Sequence, residues 1–330
     1  MNDWLIDLAS ERFGGSVLET SDESFGRAER LLGREDPIEL DHFDGWETQR
    51  RREPGHEWVI VRLGLPGIVR RVLIDSTRTT GSHPTAMSLE SIELPGEPHI
   101  VELIRRPERW TTVVPRTPIE PEEVLVLPVE GEHPATHLRL VAYPDGAVAR
   151  LRVQGAPLPS AGVVAGRELD LAAVVNGGLA IDCSDAHFGS PTEMLLDDRH
   201  RTGPGWLTRR RRDGRHDWAV VRLAGRGELD RLVVDTRGLE GHAPTACSVE
   251  GVSSATAGNL RATAWETVLE RTPLRPDHRH EFSELRSRGP FSHLRLSVFP
   301  DGGIRRFSAF GTAAAGWYEP PSEDGAPGTR

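Results

Sequence analysis

The 330-residue sequence contains no lysine, so all 40 of its basic residues are arginine. It has only two cysteines, Cys183 and Cys247, which are too few and too far apart for a disulfide framework or a CxxC metal site. No run approaches the length of a membrane-spanning helix, and the N-terminus lacks the basic and apolar segments of a secretion signal. These absences favour a cytoplasmic protein with two chemically quiet thiols and no membrane partner.

Acidic residues outnumber basic ones, and the formal net charge is −10. Nucleic-acid-binding proteins carry a basic footprint, so this balance argues against a nucleic-acid partner, even though residues 209–212 read RRRR. Hydrophobic residues make up 37% of the chain and charged residues 27%, which is typical of a globular protein. A globular chain of this length favours about two domains.

The chain contains the same unit twice. Residues 45–63 (GWETQRRREPGHEWVIVRL) align without a gap with residues 205–223 (GWLTRRRRDGRHDWAVVRL), and 11 of the 19 positions are identical. Three further segments recur in the same order: 7–26 with 170–189, 74–90 with 234–250, and 137–155 with 293–311. We predict a first repeat over 1–155, a linker over 156–166, a second repeat over 167–314 and a flexible tail over 315–330.

Within each repeat the apolar pattern is that of β-strands. EWVIVRLG and RVLIDST are short β-branched runs bounded by Gly, Pro or Ser, and HLRLVAY alternates along its length. The YPDG sequence at 143–146 predicts a turn that returns the chain as a partner strand, forming a hairpin. Helix is expected only in short pieces such as SFGRAERLL. This pattern predicts an all-β fold: a β-sandwich or jelly roll, present twice.

The segment DGWETQRRREPGHEW (44–58) carries the residues best suited to chemistry. Its Gly and Pro-Gly residues mark turns, so we expect a loop at one end of the sandwich, where ligand sites concentrate. Arginine offers a planar fork for a carboxylate, while acids and histidine exchange protons. The catalytic candidates are Asp44, Glu47 and His56. The substrate-binding candidates are Trp46, Thr48, Arg50, Arg51 and Arg52, joined by Arg209, His216 and Asp217 if the site lies between the repeats.

Other interpretations of these residues stay open. Residues 50–52 are equally compatible with a solvated face. His56 recurs as His216, which fits either a repeated site or a repeated structural hydrogen bond. Trp58 and Trp218 precede apolar strands and are better explained as core residues.

The two copies differ at the acids. Asp44 and Glu47 correspond to Pro204 and Leu207, so we expect the chemistry to centre on the first repeat. The SDESF and SDAHF loops offer oxygen ligands, and a divalent cation there is an alternative. No metal site and no cofactor is predicted.

Together these segments resemble the allantoicase family. The resemblance is carried in order from residue 7 to about 311 by LASERFGGSVLETSDESF, DGWETQRRREPGHEWVIVRLGLPG, VLIDSTRTTGSHPTAMSLE and RLVAYPDGAVARLRVQG, followed by their second copies. It implies two galactose-binding-like jelly rolls and hydrolysis of allantoate to ureidoglycolate and urea, a step of allantoin degradation. The sequence departs from the family pattern at Gln49, where a basic residue is expected, and at Leu207, where an acid is absent.

The resemblance also implies roles for the candidates. Arginines of residues 50–52 would hold the substrate carboxylate, and Glu47 or His56 would protonate the departing urea nitrogen. Asp44, or the other member of that pair, would activate water. Two alternatives stay open: a non-catalytic binding module of the same fold, and a hydrolase of a related ureide. Polar jelly rolls often assemble, so a homo-oligomer is expected.

Overall fold

The computed structural model describes residues 5–33, 43–79, 82–94, 96, 98–105, 107–158, 167–201, 203–253, 260 and 264–314. Contacts divide the chain into two compact units, with the division between residues 161 and 162. Strands dominate both units, and each unit contains one repeat. Among the described residues, no helix is long and apolar enough to cross a membrane.

The regular elements of the two units correspond strand by strand. The first unit contains β1 (Ile6–Asp7), β2 (Ser16–Thr20), β3 (Trp46–Glu47), β4 (Glu57–Asp75), β5 (Ala86–Ile92), β6 (Thr111–Pro118), β7 (Val124–Pro128), β8 (Pro134–Tyr143), β9 (Ala147–Val148) and β10 (Arg150–Pro157). The second unit contains β11 (Glu168–Asp170), β12 (Leu179–Cys183), β13 (Trp206–Leu207), β14 (Asp217–Asp235), β15 (Ala246–Val252), β16 (Glu266–Pro273), β17 (Arg279–Phe282), β18 (Phe291–Phe299), β19 (Gly303–Ile304) and β20 (Arg306–Ala313). The helical segments are an α-helix, α1 (Ile100–Arg105), and 3₁₀ turns at Glu11–Phe13, Ala28–Leu32, Pro107–Arg109, Val174–Asn176 and Pro191–Leu195.

The longest strand of each unit runs through both sheets of a sandwich. The first half of β4 pairs with β2 and β8, its second half pairs with β10 and β7, and the pairing with β8 shifts register between Arg62 and Gly67. The eight main strands are hydrogen-bonded through β4, and we call the strands on either side of its bend the front sheet, with the order β2-β4-β8-β5-β6, and the back sheet, with the order β1-β10-β4-β7. In the second unit the same orders are β12-β14-β18-β15-β16 and β11-β20-β14-β17. The predicted all-β fold with a duplicated jelly roll is confirmed.

Two local predictions are corrected by the structure. EWVIVRLG and RVLIDST are both β-strand, but they form one strand, β4, because the chain bends between them and passes from the front sheet to the back sheet without a break. A Cβ on Gly64, in this bend, would lie 2.6 Å from the backbone nitrogen of Gly15, so the close approach requires glycine. The YPDG turn does not form a hairpin, since β8 pairs with β4 and β5 whereas β10 pairs with β4 and β1. The turn instead passes the chain from the front sheet to the back sheet.

The predicted domain boundaries stay predictions. The division between residues 161 and 162 falls inside the proposed linker 156–166, whose first two residues still belong to β10. Residues 159–166 and the proposed tail 315–330 lie outside the described residues.

Alternate side chains of β4 fill the space between the two sheets. Val59, Val61 and Val72 are 0% exposed. Ile60 points away from them and packs with Leu103 of α1 in a smaller cluster on the outer face of the front sheet. Burial of such side chains is the main contribution to the stability of a sandwich.

Trp58 and Trp218 are the second residues of β4 and β14, and both are partly buried on the outer face of the front sheet. They therefore do not belong to the core between the sheets, in which the sequence predicts them. Trp58 packs against the small cluster that contains Ile60, and Trp218 packs against the corresponding cluster around Val220.

The two cysteines have unreactive thiols, as the sequence predicts. Burial raises the pKa of Cys183 and of Cys247 to about 12, so both thiols stay protonated at neutral pH.

Candidate active site

The first residues of segment 44–58 are anchored by hydrogen bonds. Trp46 is 0% exposed, and its indole Nε1–H donates to the carbonyl oxygen of Asp22 at 2.8 Å. Thr48 is 3% exposed, and its hydroxyl accepts the N–H of Gly146 at 2.9 Å and donates to the Gly146 carbonyl at 3.3 Å. The same bonds recur in the second repeat between Trp206 and Asp185 and between Thr208 and Gly302. Both side chains hold the loop in place, and their predicted contact with substrate stays a prediction.

Replacing Thr48 by valine should destabilise the first unit by about 1–3 kcal/mol, because the N–H of Gly146 loses a buried acceptor. Valine keeps the shape of threonine, so the change removes only the hydroxyl. We expect a lower midpoint in chemical unfolding of the full chain, and Thr208→Val should act similarly in the second unit. Thr111→Val, at an exposed position of β6, is the control. A midpoint equal to that of the control would contradict the anchoring role.

Arg51 is the most firmly held side chain of the charged part of the loop. Its backbone N–H donates to Asp145 Oδ2 at 2.7 Å, and its Nη1 donates to Glu57 Oε1 at 2.5 Å. Glu57 is 5% exposed, and its second oxygen accepts the hydroxyl of Ser21 at 2.5 Å. The Arg51 guanidinium also covers Gly55, where a Cβ would lie 2.5 Å from Nη2. The loop conformation is therefore built around one buried carboxylate.

The second repeat builds the same arrangement around a shorter acid. The backbone N–H of Arg211 donates to Asp301 Oδ2 at 2.7 Å, and its Nε donates to Asp217 Oδ1 at 2.6 Å. Ser184 donates to the same oxygen at 2.8 Å, and the hydrogen bond to Asp217 raises the pKa of Arg211. Aspartate is one methylene shorter than glutamate, so both donors meet one oxygen. Asp217 Oδ2 is buried without a hydrogen-bond partner among the described residues.

Sequence reasoning missed the carboxylate of Glu57, although it included the counterpart Asp217 among the residues of a site between the repeats. Glu57 reads as the first residue of a strand, and its conservative replacement by Asp217 in the second copy was the available signal. Its role depends on Ser21 and Arg51, which only folding brings together.

Arg50 and Arg52 are exposed, and no acid among the described residues pairs with either. They line a pocket of about 360 Å³ together with Asp22, Gln49 and Glu53. This volume suits a small polar molecule. The two guanidinium groups are therefore available to an anion, whereas Arg51 is engaged with Glu57.

The three predicted proton-transfer residues have different surroundings. Asp44 is occupied: its Oδ2 accepts Arg150 Nη2 at 2.6 Å, and its Oδ1 lies 3.4 Å from Arg30 Nε. Glu47 is half-buried on β3, and its carboxylate has no partner within the described ranges. His56 is exposed, with its ring 5.5 Å from the ring of Tyr143. Glu47 and His56 are thus the two groups with accessible proton-transfer atoms.

The candidates of the second repeat lie in the corresponding loop. Arg209 has an exposed side chain. Its backbone N–H donates to Asp185 Oδ2 at 2.7 Å, and its Nε lies 3.5 Å from Oδ1 of the same acid. His216 is the counterpart of His56 and lies 4.6 Å from the ring of Phe299. Within the described ranges, no group of three or more His, Cys, Asp or Glu residues is arranged to hold a metal ion.

A second set of polar residues, on the outer face of the front sheet, was absent from the sequence candidates. Each repeat contains a glutamate on one strand paired with an arginine on the next: Arg139 Nε donates to Glu90 at 2.5 Å, and Arg295 donates to Glu250 at 2.6 and 2.8 Å. The available signal was the recurrence of these charges in both copies within strand-like segments. Alternation along the strands placed them opposite the core, but pairing across strands required the fold.

The fold and these loops define a class: a duplicated β-sandwich protein with an arginine-rich site for a small polar ligand. The family profile of the allantoicase repeat matches residues 6–158 and 169–314. The chain is 38% identical over 322 residues to a probable allantoicase of Pseudomonas paraeruginosa, covering 93% of this chain and 95% of that protein. It is 37% identical over 327 residues to a probable allantoicase of Streptomyces coelicolor, covering 93% of this chain and 85% of that protein.

A solved structure gives the same result. The crystal structure of allantoicase from Saccharomyces cerevisiae matches with a TM-score of 0.72 and 32% identity, and the match covers 94% of each chain. The chain belongs to the allantoicase family. The resemblance found in the sequence is confirmed.

Proposed function

We propose that this chain hydrolyses allantoate to ureidoglycolate and urea in the degradation of allantoin. The observation that carries the proposal is the match of the allantoicase repeat to both halves of the chain, over residues 6–158 and 169–314. The reaction breaks the bond between the central carbon of allantoate and one ureido nitrogen. Water supplies the hydroxyl group of ureidoglycolate and the proton that leaves with urea.

The carboxylate of allantoate is held by Arg50 and Arg52. Both guanidinium groups are exposed in a pocket of about 360 Å³, and neither is paired with an acid of the described residues. A guanidinium binds a carboxylate through two parallel hydrogen bonds, which also distinguishes allantoate from neutral ureas. Arg51 contributes by holding the loop through Glu57.

Proton transfer is assigned to Glu47 and His56, one as general acid to the leaving urea nitrogen and the other as general base to water. Each offers a titratable atom that no described residue occupies with a hydrogen bond, and a general acid or base must reach its proton directly. Asp44 has a positioning role, because its carboxylate holds Arg150 at 2.6 Å. We further assign the protein to the cytoplasm, as a homo-oligomer without a nucleic-acid partner.

The direct test is release of urea from allantoate by the purified protein, with ureidoglycolate identified as the second product. We expect an unchanged rate after treatment with a chelator, since no cofactor is predicted. Turnover of a different ureide with none of allantoate would favour a sibling hydrolase. A folded protein that turns over no ureide would favour the binding module.

Replacing Arg52 by glutamine should raise the KM for allantoate about tenfold or more while kcat changes less, because a charge-assisted contact to the substrate carboxylate is lost. The residue is exposed, so the change leaves the fold intact. Arg212→Gln, at the corresponding exposed position of the second repeat, is the matched control. An unchanged KM in Arg52→Gln, or an equal rise in Arg212→Gln, would contradict the assignment to the first repeat.

A further inference from the structure

A second cavity lies on the outer face of the front sheet of the second unit, and we call it the sheet cleft. It is open to solvent on one side and has a volume of about 480 Å³, within the range of small-ligand pockets. Its floor is β18, where residues 294, 296 and 298 point into the core and the alternate side chains point into the cleft: Arg295, Ser297 and Phe299. The lining therefore consists of side chains that do not fill the core of the sandwich.

Arg271 supplies a cation on one side of the sheet cleft. Its guanidinium carbon lies 4.1 Å from the centroid of the Phe299 ring, and no acid among the described residues pairs with it. Stacking on a ring orients a guanidinium while its N–H edge stays available. Arg271 is therefore positioned to receive a carboxylate from solvent.

Glu250 supplies an acceptor in the same cleft. Arg295 donates to its Oε2 from Nε at 2.8 Å and from Nη2 at 2.6 Å, which fixes the carboxylate in one orientation. Its other oxygen, Oε1, receives no hydrogen bond from the described residues. A fixed carboxylate with one open oxygen suits an N–H donor such as the ureido group.

His216 borders the sheet cleft at the end of the loop 208–216, which connects β13 to β14. Burial lowers the pKa of His216, and the nearby charges of Arg295 and Arg211 lower it further. The ring is therefore neutral at pH 7, and it adds no charge that would compete with Arg271 for an anion. A neutral exposed ring is also a convenient chemical probe of the cleft.

The first repeat has an equivalent arginine, but its serine hydroxyl is already within hydrogen-bond distance of a tyrosine. Arg116 lies over Tyr143 at 4.3 Å, as Arg271 lies over Phe299, but the Tyr143 hydroxyl is within 3.2 Å of Ser88 Oγ. Phenylalanine has no hydroxyl, so Ser248, the counterpart of Ser88, lacks this partner. The second repeat therefore offers one more free polar group to a ligand.

We propose that the sheet cleft of the second repeat binds a small carboxylate that carries a ureido group. Arg271 takes the carboxylate, Glu250 Oε1 accepts a ureido N–H, and Ser248 donates to the ureido carbonyl. The ligand class rests on the proposed function, because allantoate and ureidoglycolate are both ureido carboxylates. Since the second copy lacks both acids of the first, it binds such a molecule without hydrolysing it.

The test uses hydantoate (N-carbamoylglycine), which has one carboxylate and one ureido group and lacks the second ureido group of allantoate. Diethyl pyrocarbonate modifies neutral histidines, and mass spectrometry of peptides from the full-length protein reports His216 separately from His56. We expect hydantoate to slow the modification of His216 and to leave the exposed His242 unaffected.

Arg271→Gln should raise the hydantoate concentration that half-protects His216 about tenfold or more, because a charge-assisted pair is lost. Arg279→Gln, on β17 of the back sheet, is the control with the same loss of charge. Absence of protection in the unchanged protein, or equal protection in Arg271→Gln, would overturn the inference. Equal protection by acetate would overturn the ureido part of the ligand class, and equal protection by N-methylurea would overturn the carboxylate part.

Urea release from allantoate, measured on the same preparation, separates this inference from the proposed function. Turnover of allantoate without protection of His216 overturns the sheet-cleft site alone. Protection of His216 that depends on Arg271, in a protein that does not turn over allantoate, supports the cleft and overturns the proposed hydrolysis.

Discussion

Replacement of Glu47 by glutamine is expected to lower the kcat for urea release from allantoate by about 10²- to 10⁴-fold, the usual contribution of a general acid or base. Glutamine keeps the size of the side chain but cannot exchange a proton at neutral pH. Glu47 is half-buried on β3, and no described residue occupies its carboxylate. The second repeat has Leu207 at this position, so it cannot compensate for the loss.

The kinetic parameters that change in Glu47→Gln distinguish a proton-transfer role from a structural one. Removal of a proton-transfer group lowers kcat and kcat/KM together and removes one limb of the pH profile, whereas loosened packing leaves the profile unchanged. Glu19→Gln, at an exposed position of β2, controls for the change in charge. A rate equal to that of the control would exclude Glu47 from the chemistry and leave His56, tested by His56→Asn.

The second large effect concerns stability in mild acid. His137 and His293 occupy corresponding positions at the start of β8 and β18 and are 1% and 4% exposed. Burial lowers the pKa of each to about 4, with a further contribution from Arg62 or Arg222 nearby. A neighbouring hydroxyl meets Nδ1 at 2.8 Å in both cases. The folded protein therefore keeps both rings neutral at pH values where an unfolded chain protonates them.

The direction of the pH effect on the free energy of unfolding follows from the number of protons that each state binds. An unfolded histidine has a pKa of about 6.5, so between about pH 6.5 and 4 the unfolded state binds more protons than the folded state. The free energy of unfolding therefore falls as the pH is lowered through this range, and the contribution of the two histidines levels off below about pH 4. Each histidine contributes up to about 3 kcal/mol of this loss.

The measurement is the midpoint of chemical unfolding between pH 7 and 4.5. The double variant His137→Gln, His293→Gln should have a flatter pH dependence than the unchanged protein, whereas His242→Gln, at an exposed position, should not. Asp170 acts in the opposite direction, because burial raises its pKa, but it is present in all three proteins. Equal slopes in the double variant and the unchanged protein would contradict the role of the two histidines.

Several features were accessible from the sequence because they depend on residues close together in the chain. Apolar alternation and turn residues indicated strands, and the recurrence of whole segments indicated two equivalent units, both of which the fold confirms. The candidate segment 44–58 was recognised because its residue types are unusual for a strand or a core helix. Strand partners were not accessible: the turn at 143–146 suggested a hairpin, whereas the strand that follows it pairs with β4 in the other sheet.

Within the candidate site, the same physical reason separates what the sequence predicted from what required the tertiary structure. Residue types and the difference between the two copies pointed to Glu47 and His56, since a proton-transfer group is recognisable from its chemistry alone. Whether a group is free or occupied depends on partners far away in the chain: Asp44 is held by Arg150, 106 residues later. Glu57 likewise meets Ser21, 36 residues earlier. Such contacts arise when two sheets pack, and packing is a property of the whole unit that no short segment encodes.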